Sequence, residues 1–416
     1  MIHPWNKLST CPINSQFIFP QYDGLSLANI PGTILENFGA KSPNPSLKNE
    51  ISKKIYGSEK IILLLIDGLG YVSWKKHCRK ISKEIEVFPL TSVFPSTTPA
   101  AITTVNSGLL PSEHGLPEWF IYLKEIDNII ESLPFTPLGE KGPDYLAHHG
   151  YSPKLLFNKQ TVYEKLAEKR IKSYTFMHNY YADSAYNKVA LKKSIIIPYK
   201  ESSDLIKSLV SCLKKERGKA YFYIYYDKVD SISHRFGPSS KRYKDAVKEV
   251  INNVVKRIMK ECSFSQKTTL LITADHGQIA TNPEKTIYLN QLLKLERNLK
   301  RSKNNRKILP WGNARDVFLD IKKDKLKETF TYLSSALKGK ATVFKISDAI
   351  SYGFFGKSVL SQRFIDRIGN ILILPDKKTT VWYKYSKDYE YSMLGHHGGL
   401  SKEEMLIPFG IFKLPF

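Results

Sequence analysis

Cysteine is scarce in this chain. The four cysteines, Cys11, Cys78, Cys212 and Cys262, lie far apart, which excludes a disulfide-stapled fold and a clustered cysteine metal site. Reduced structural thiols are the expectation, and with them a cytoplasmic setting. Long apolar runs are missing as well. The longest, such as Ile61–Ile66, have the length of a strand and fall short of the roughly 18 residues that cross a bilayer, so no membrane span is expected. The opening Met1-Ile2-His3-Pro4-Trp5-Asn6-Lys7 has no apolar stretch of the secretory kind. No internal repeat is visible. Acidic residues are few: 39 Asp and Glu against 63 Lys and Arg leave a formal net charge of +24. That surplus draws anionic ligands toward the surface. The lysines are scattered, as in Lys75-Lys76, Lys192-Lys193 and Lys377-Lys378. A solvated basic surface is therefore the preferred reading; a phosphate-rich or nucleic-acid substrate is the alternative, and nothing else in the sequence indicates nucleic acid.

The chain does have enough apolar material for a large core, with 42% hydrophobic residues over 416 positions. Three apolar runs read as buried parallel strands. Ile61–Ile66 ends in Asp67-Gly68, Ala220–Tyr226 is followed by Asp227 and Asp230, and Thr268–Thr273 runs into Ala274-Asp275-His276-Gly277. Between the second and third, Ser240–Cys262 carries apolar residues at helical spacing: Ala246, Val247, Val250, Ile251, Val254, Val255 and Ile258. Strands alternating with helices predict an α/β fold with a mainly parallel sheet flanked by helices. The acidic strand ends then gather at one edge, where ligands bind in such sheets.

Four motifs along the chain can ligate metal. Asp67 directly follows a buried strand; alone it would read as a turn. Asp230 and His234 are four residues apart, on one face if the segment is helical. Asp275-His276 offers adjacent oxygen and nitrogen, a set suited to a borderline metal such as zinc. His396-His397 precedes two glycines that let the backbone approach a ligand. The nucleophile candidate lies in Phe94-Pro95-Ser96-Thr97-Thr98-Pro99-Ala100-Ala101. Thr98 has the look of a helix cap and Pro99 of the first helical residue, which would aim backbone amides at a phosphoryl group. A plain structural cap is the alternative.

Together these motifs resemble the type I phosphodiesterase/nucleotide pyrophosphatase branch of the alkaline phosphatase superfamily, from about Ile61 to Pro408. Ser107-Gly108-Leu109-Leu110-Pro111-Ser112-Glu113-His114-Gly115 is similar to the family's T-G-x-x-P-x-x-H-G. Asp230–Pro238 is similar to D-x-x-G-H-x-x-G-P, and Gly398-Gly399 with Glu404 and Pro408 to the family's closing motif. The resemblance implies an alkaline phosphatase-like core and two divalent ions, zinc first and manganese second. It assigns one ion to Asp67, Thr98, Asp275 and His276, the other to Asp230, His234 and His397, and leaves His396 outside. It makes Thr98 the nucleophile, with Thr97 as second choice should the helix start one residue earlier. It also places Tyr225 where nucleotide-cleaving members stack a base. Two positions depart from those members: Ala101 stands for an asparagine and Pro99 for a phenylalanine.

The expected activity is metal-dependent hydrolysis of phosphodiester or phosphoanhydride bonds, in a small phosphodiester or nucleotide, through a phosphothreonine. A phosphomonoesterase is the runner-up, with Arg235 or Arg315 as its clamp on the dianion. A non-catalytic binding or scaffold subunit is the alternative from another class. The expected organisation is an arm and first core part at 1–115, a cap-like insertion at 116–205 and continued core at 206–285. A second α+β insertion or subdomain at 286–384 and the core closure at 385–416 complete it. Trp119, Phe120, Tyr180 and Tyr181 are the aromatic residues expected in the cap.

Overall fold

A computed structural model describes residues 14–264, 267–386 and 390–415. Cys11 and the first seven residues lie outside the described residues. The three apolar runs form adjacent strands. Lys60–Ile66 sits at the centre of a seven-stranded sheet, parallel to Ala220–Tyr226 on one side and to Thr268–Thr273 on the other. All but one residue of the central strand are buried; a strand covered on both faces has no polar face to offer, which is why it reads as one continuous apolar run. Lys172–His178 and Ile195–Tyr199 extend the parallel part. Leu406–Lys413 and Glu86–Thr91 add an antiparallel edge.

Helices cover this sheet with apolar faces. In Ser202–Lys215 the buried residues are Leu205, Ile206, Leu209 and Leu213, a single helical stripe. The predicted helix after Asp230 begins at Lys241, capped by the Ser240 hydroxyl accepting from Tyr243 N. It passes through one π-helical turn at Ile251–Val255 and ends at Glu261.

Strands from residues 116–205 and 286–384 share one sheet. A second seven-stranded sheet, antiparallel throughout, is built from Phe120–Leu123, Asn128–Glu131 and Thr136–Pro137 together with Trp311–Asn313, Asp316–Leu319, Ala341–Lys345 and Ile371–Pro375. Residues 116–205 thus divide between the two sheets, since Lys172–His178 and Ile195–Tyr199 pair within the first. Joining the two groups through Gly312 and Phe120 pairs one edge of each, so that short strands form one larger ladder. Phe120 sits in that ladder and packs on Trp382.

Candidate active site

The parallel strands end on one rim, and the candidate ligands stand there. Asp67 follows the central strand and is held by its N–H donating to Tyr226 O at 2.9 Å. Asp275 and His276 follow Thr268–Thr273. Gly68 N and His276 N donate to Asp275 Oδ1 at 3.1 and 2.9 Å. Gly68 has φ 71°, and a Cβ there would come within 2.9 Å of Asp230 Oδ1, so the turn after the central strand has to be a glycine. Asp230 and His234 lie on the helix Lys228–Phe236 and meet at 3.1 Å, as their spacing predicts. His397 comes from the loop after the short strand Gly395–His396. That loop threads close past the second sheet. A Cβ on Gly398, where φ is 126°, would fall 2.4 Å from Asp316 Oδ1.

These six residues fall into two groups whose ligand atoms converge: Asp67, Asp275 and His276, and Asp230, His234 and His397. The imidazoles of His276 and His397 stack at 3.4 Å and 11°, joining the groups. All three histidines are oriented in one way. His276 Nδ1 lies 3.1 Å from Gly277 O, His234 Nδ1 2.8 Å from Gly395 O and His397 Nδ1 2.9 Å from Ser96 O. A carbonyl can only accept, so each Nδ1 carries the proton; in His276 and His397, held neutral by burial, Nε2 then presents a lone pair to the rim, whereas His234 Nε2 faces Asp230 Oδ2 at 3.1 Å. His396 stands outside both groups. Its Nδ1 accepts from His397 N and its ring stacks on Tyr391.

The electrostatics fit cations. Asp67 Oδ1 and Asp275 Oδ2 are buried and receive no hydrogen bond from the described residues, yet they lie 3.4 and 3.3 Å from His276 Nε2. Burial, then the Asp275 and Asp230 carboxylates, hold Asp67 well above the usual carboxylate range. Burial raises Asp275 to about 6. Burial also depresses His276 to about 4 and His397 to about 3, keeping them neutral. Asp230 differs: burial would raise it, but the adjacent His234 outweighs that and holds it low. Buried carboxylates with unmet oxygens beside neutral Nε2 lone pairs are a donor set for divalent metal.

Thr98 Oγ1 lies 3.1 Å from His276 Nε2, facing the first group. The helix starts one residue earlier than expected: it spans Thr98–Ser107 and Thr97 is the cap. The side chains nevertheless separate the two threonines, because Thr97 Oγ1 donates to Pro117 O at 3.1 Å. Tyr225 donates its hydroxyl to Asp67 Oδ2, and its ring meets Tyr181 edge-on at 6.0 Å. Both tyrosines, with Trp119, Tyr180 and Thr98, line a cavity of about 640 Å³ that opens beside the rim.

Two contacts escape the sequence. Gln278 Nε2 donates to Asp230 Oδ1; its only signal is a place three residues after Asp275. Arg315 is not available as a clamp. It forms a buried two-pronged pair with Glu404, Nε to Oε1 and Nη2 to Oε2, each at 2.9 Å. Arg235 is exposed, on the Phe236 ring. His114 is structural, buried at the end of its short helix with Nε2 3.2 Å from Thr104 Oγ1.

Comparison with known proteins agrees with this geometry. The model of the type I phosphodiesterase / nucleotide pyrophosphatase family matches residues 61–400. Ectonucleotide pyrophosphatase/phosphodiesterase family member 7 of Mus musculus is 28% identical over 95 residues, and its Rattus norvegicus counterpart 27%. Those stretches span 22% of this chain and 22% of the relatives' length. Among solved structures, murine ectonucleotide pyrophosphatase/phosphodiesterase 5 superposes with a TM-score of 0.63 at 18% identity, covering 84% of this chain and 87% of that one. The human protein gives 0.62 at 17%, with the same coverage. A further murine structure is of an inactive form in complex with AMP.

Proposed function

The chain belongs to the type I phosphodiesterase/nucleotide pyrophosphatase family, and from that premise we propose that it hydrolyses phosphodiester or phosphoanhydride bonds, nucleotide and aryl diesters among them. The observation that carries the reading is Thr98 Oγ1 beside two joined Asp/His groups at the mouth of a substrate-sized cavity. Asp67, Thr98, Asp275 and His276 would hold one divalent ion and Asp230, His234 and His397 the other. Zinc is the assigned metal and manganese the second choice, supported by the mixed carboxylate and imidazole donors. When bound, such ions neutralise phosphoryl charge and lower the pKa of a coordinated hydroxyl.

Thr98 Oγ1 gives up its proton and forms a bond to phosphorus as the bond to the departing ester oxygen breaks; that oxygen takes a proton and leaves as an alcohol, giving a phosphothreonine. Water then attacks phosphorus, the bond to Thr98 Oγ1 breaks, one water proton restores the Thr98 hydroxyl and the remaining oxygen stays on phosphorus. The positive end of the Thr98–Ser107 helix lies against the phosphoryl oxygens. Gly277 O, Gly395 O and Ser96 O hold the imidazoles, and Gln278 and Tyr225 hold the two aspartates they touch. The Tyr225 ring, on the cavity wall, is the proposed platform for a base. The three free cysteines Cys78, Cys212 and Cys262 support a cytoplasmic setting.

A preference for diesters over monoesters is supported by the lack of a free arginine clamp: Arg315 is committed to Glu404, and no Lys or Arg is among the described cavity residues. The test is turnover of bis-p-nitrophenyl phosphate against p-nitrophenyl phosphate by the zinc-loaded and manganese-loaded protein. Faster diester turnover, abolished in Thr98→Ala, is expected. Preference for the monoester moves the chain to the phosphomonoesterase reading, and no turnover of either ester favours the binding subunit.

A further inference from the structure

The cavity has a charge unlike the rest of the molecule. The chain carries 63 Lys and Arg against 39 Asp and Glu. Yet no Lys, Arg or His is found among the described residues of the cavity wall. Besides the two aspartates of the rim, the wall carries Glu131, Glu140, Asp144, Asp183 and Asp227. Asp183 is exposed and paired with Lys188 at 3.2 Å. The other four pair with no lysine or arginine among the described residues. Asp144 is fixed from behind, its Oδ1 accepting from Ala185 N at 3.0 Å. Glu131 ends the strand Asn128–Glu131 and is half-buried, and that burial raises its pKa. Asp227 immediately follows the strand that carries Tyr225. Tyr223, two residues before Tyr225 on that strand, is 1% exposed, and its hydroxyl has no hydrogen-bond partner among the described residues although it belongs to the same wall.

These features divide recognition in two. The phosphodiester anion is met at the metal rim, and the positive exterior raises its local concentration. The ester group that stays in the cavity meets carboxylates and a spare phenol oxygen. A second anionic group there faces like charge without a counter-ion, whereas a cation gains attraction and hydrogen-bond acceptors. A primary ammonium has three N–H donors for such oxygens, and a quaternary ammonium has none. We infer that the cavity selects phosphodiesters whose retained ester group bears a primary ammonium, an aminoalkyl phosphodiester, and rejects those with a further anionic group. This rests on the phosphodiesterase reading and names the substrate class within it.

Three p-nitrophenyl diesters with one common leaving group test the inference: the 2-aminoethyl, ethyl and 2-carboxyethyl esters. Wild type should show kcat/KM at least about tenfold higher for the aminoethyl than for the ethyl ester, and about tenfold lower again for the carboxyethyl ester. In Glu131→Gln/Asp227→Asn the spread between aminoethyl and carboxyethyl esters should shrink by tenfold or more, at unchanged metal content and circular dichroism. Equal rates on all three esters, a preference for the carboxyethyl ester, or a spread that survives in the double variant overturns the inference. A 2-trimethylammonioethyl ester turned over as fast as the aminoethyl ester overturns the choice of a primary ammonium. Calorimetry on the metal-loaded protein provides a readout without turnover, with 2-aminoethyl phosphate expected to bind at least about tenfold tighter than ethyl phosphate. If no diester is hydrolysed, the hydrolase reading fails, and the calorimetric ratio alone decides for or against the ammonium site.

Discussion

The buried Arg315–Glu404 pair offers a sharp test of how the His397 loop is held. Arg315 is 1% exposed and Glu404 is fully buried. Glu404 also accepts from Gly399 N at 3.0 Å and Ser401 N at 3.3 Å, so its carboxylate pins the backbone just beyond His397. Arg315→Met removes the guanidinium and leaves that carboxylate buried beside two amide donors. Removing one partner of such a pair costs about 3–5 kcal/mol, more than a surface bridge is ever worth. With an unfolding entropy of about 2.1 cal/mol/K per residue over 416 residues, that corresponds to a fall in Tm of roughly 3–6 °C. Because the pin sits next to a ligand, zinc affinity should also drop, by about 10–100-fold, as when other orienting partners of metal ligands are lost. Calorimetric melting of the metal-free protein and competitive zinc titration measure the two effects separately. Arg315→Met/Glu404→Leu, which buries no lone charge, should recover part of the Tm without recovering affinity. A single variant that melts within 1 °C of wild type and binds zinc normally would refute the reasoning.

Four further outcomes are expected. Purified protein should bind close to two divalent ions per chain, with Asp275→Ala and His397→Ala losing metal and activity but keeping the fold; elemental analysis decides, and failure of both zinc and manganese to bind would remove the metal assignment. Thr98→Ala should lower kcat by several orders of magnitude, while Thr97→Ala, which loses the bond to Pro117 O, should cost about 1 kcal/mol of stability and little rate; the reverse pattern would transfer the nucleophile to Thr97. Tyr225→Ala should raise KM for a nucleotide diester more than for a small aryl diester, by the roughly 1–3 kcal/mol of lost stacking; equal changes would remove the stacking role. His114 is held neutral by burial, its pKa depressed to about 3. The unfolded chain therefore binds a proton that the folded chain refuses, and stability is lost as pH falls from about 6.5 toward 3, by up to about 1.4 kcal/mol per pH unit. Urea unfolding of His114→Gln between pH 7 and pH 4 should show a flatter pH dependence than wild type; parallel curves would contradict the assignment.

The central sheet was legible because burial on both faces writes itself as an apolar run, and the acids that stop Ile61–Ile66 and Thr268–Thr273 mark the rim. The Asp230–His234 spacing was legible because a helix repeats near four residues. The helix start at Thr98 was misplaced by one residue, since Thr97-Thr98-Pro99 offers two capping threonines in a row. The second sheet was hidden for a different reason. Phe120 pairs with Gly312, and short strands carry no mark of a partner so distant in the chain. Distance likewise concealed the partner of Arg315, since nothing around it in Trp311-Gly312-Asn313-Ala314-Arg315-Asp316 points to Glu404. The acidic wall draws on several separate segments and exists only once they meet.

The three histidines proposed as ligands, His397, His276 and His234, take their orientation from main-chain carbonyls at Ser96, Gly277 and Gly395. A carbonyl is supplied by every residue type, so no point substitution deletes it; only a change in backbone path can. The surroundings of the metal rim are thus free to drift while the imidazoles stay aimed, provided that the strand ends and the glycine turns keep their course. Main-chain anchoring leaves the identity of neighbouring side chains largely unconstrained. It also tells the engineer where to intervene: loop length and glycine content around the rim should change metal affinity more than the identity of the side chains beside it.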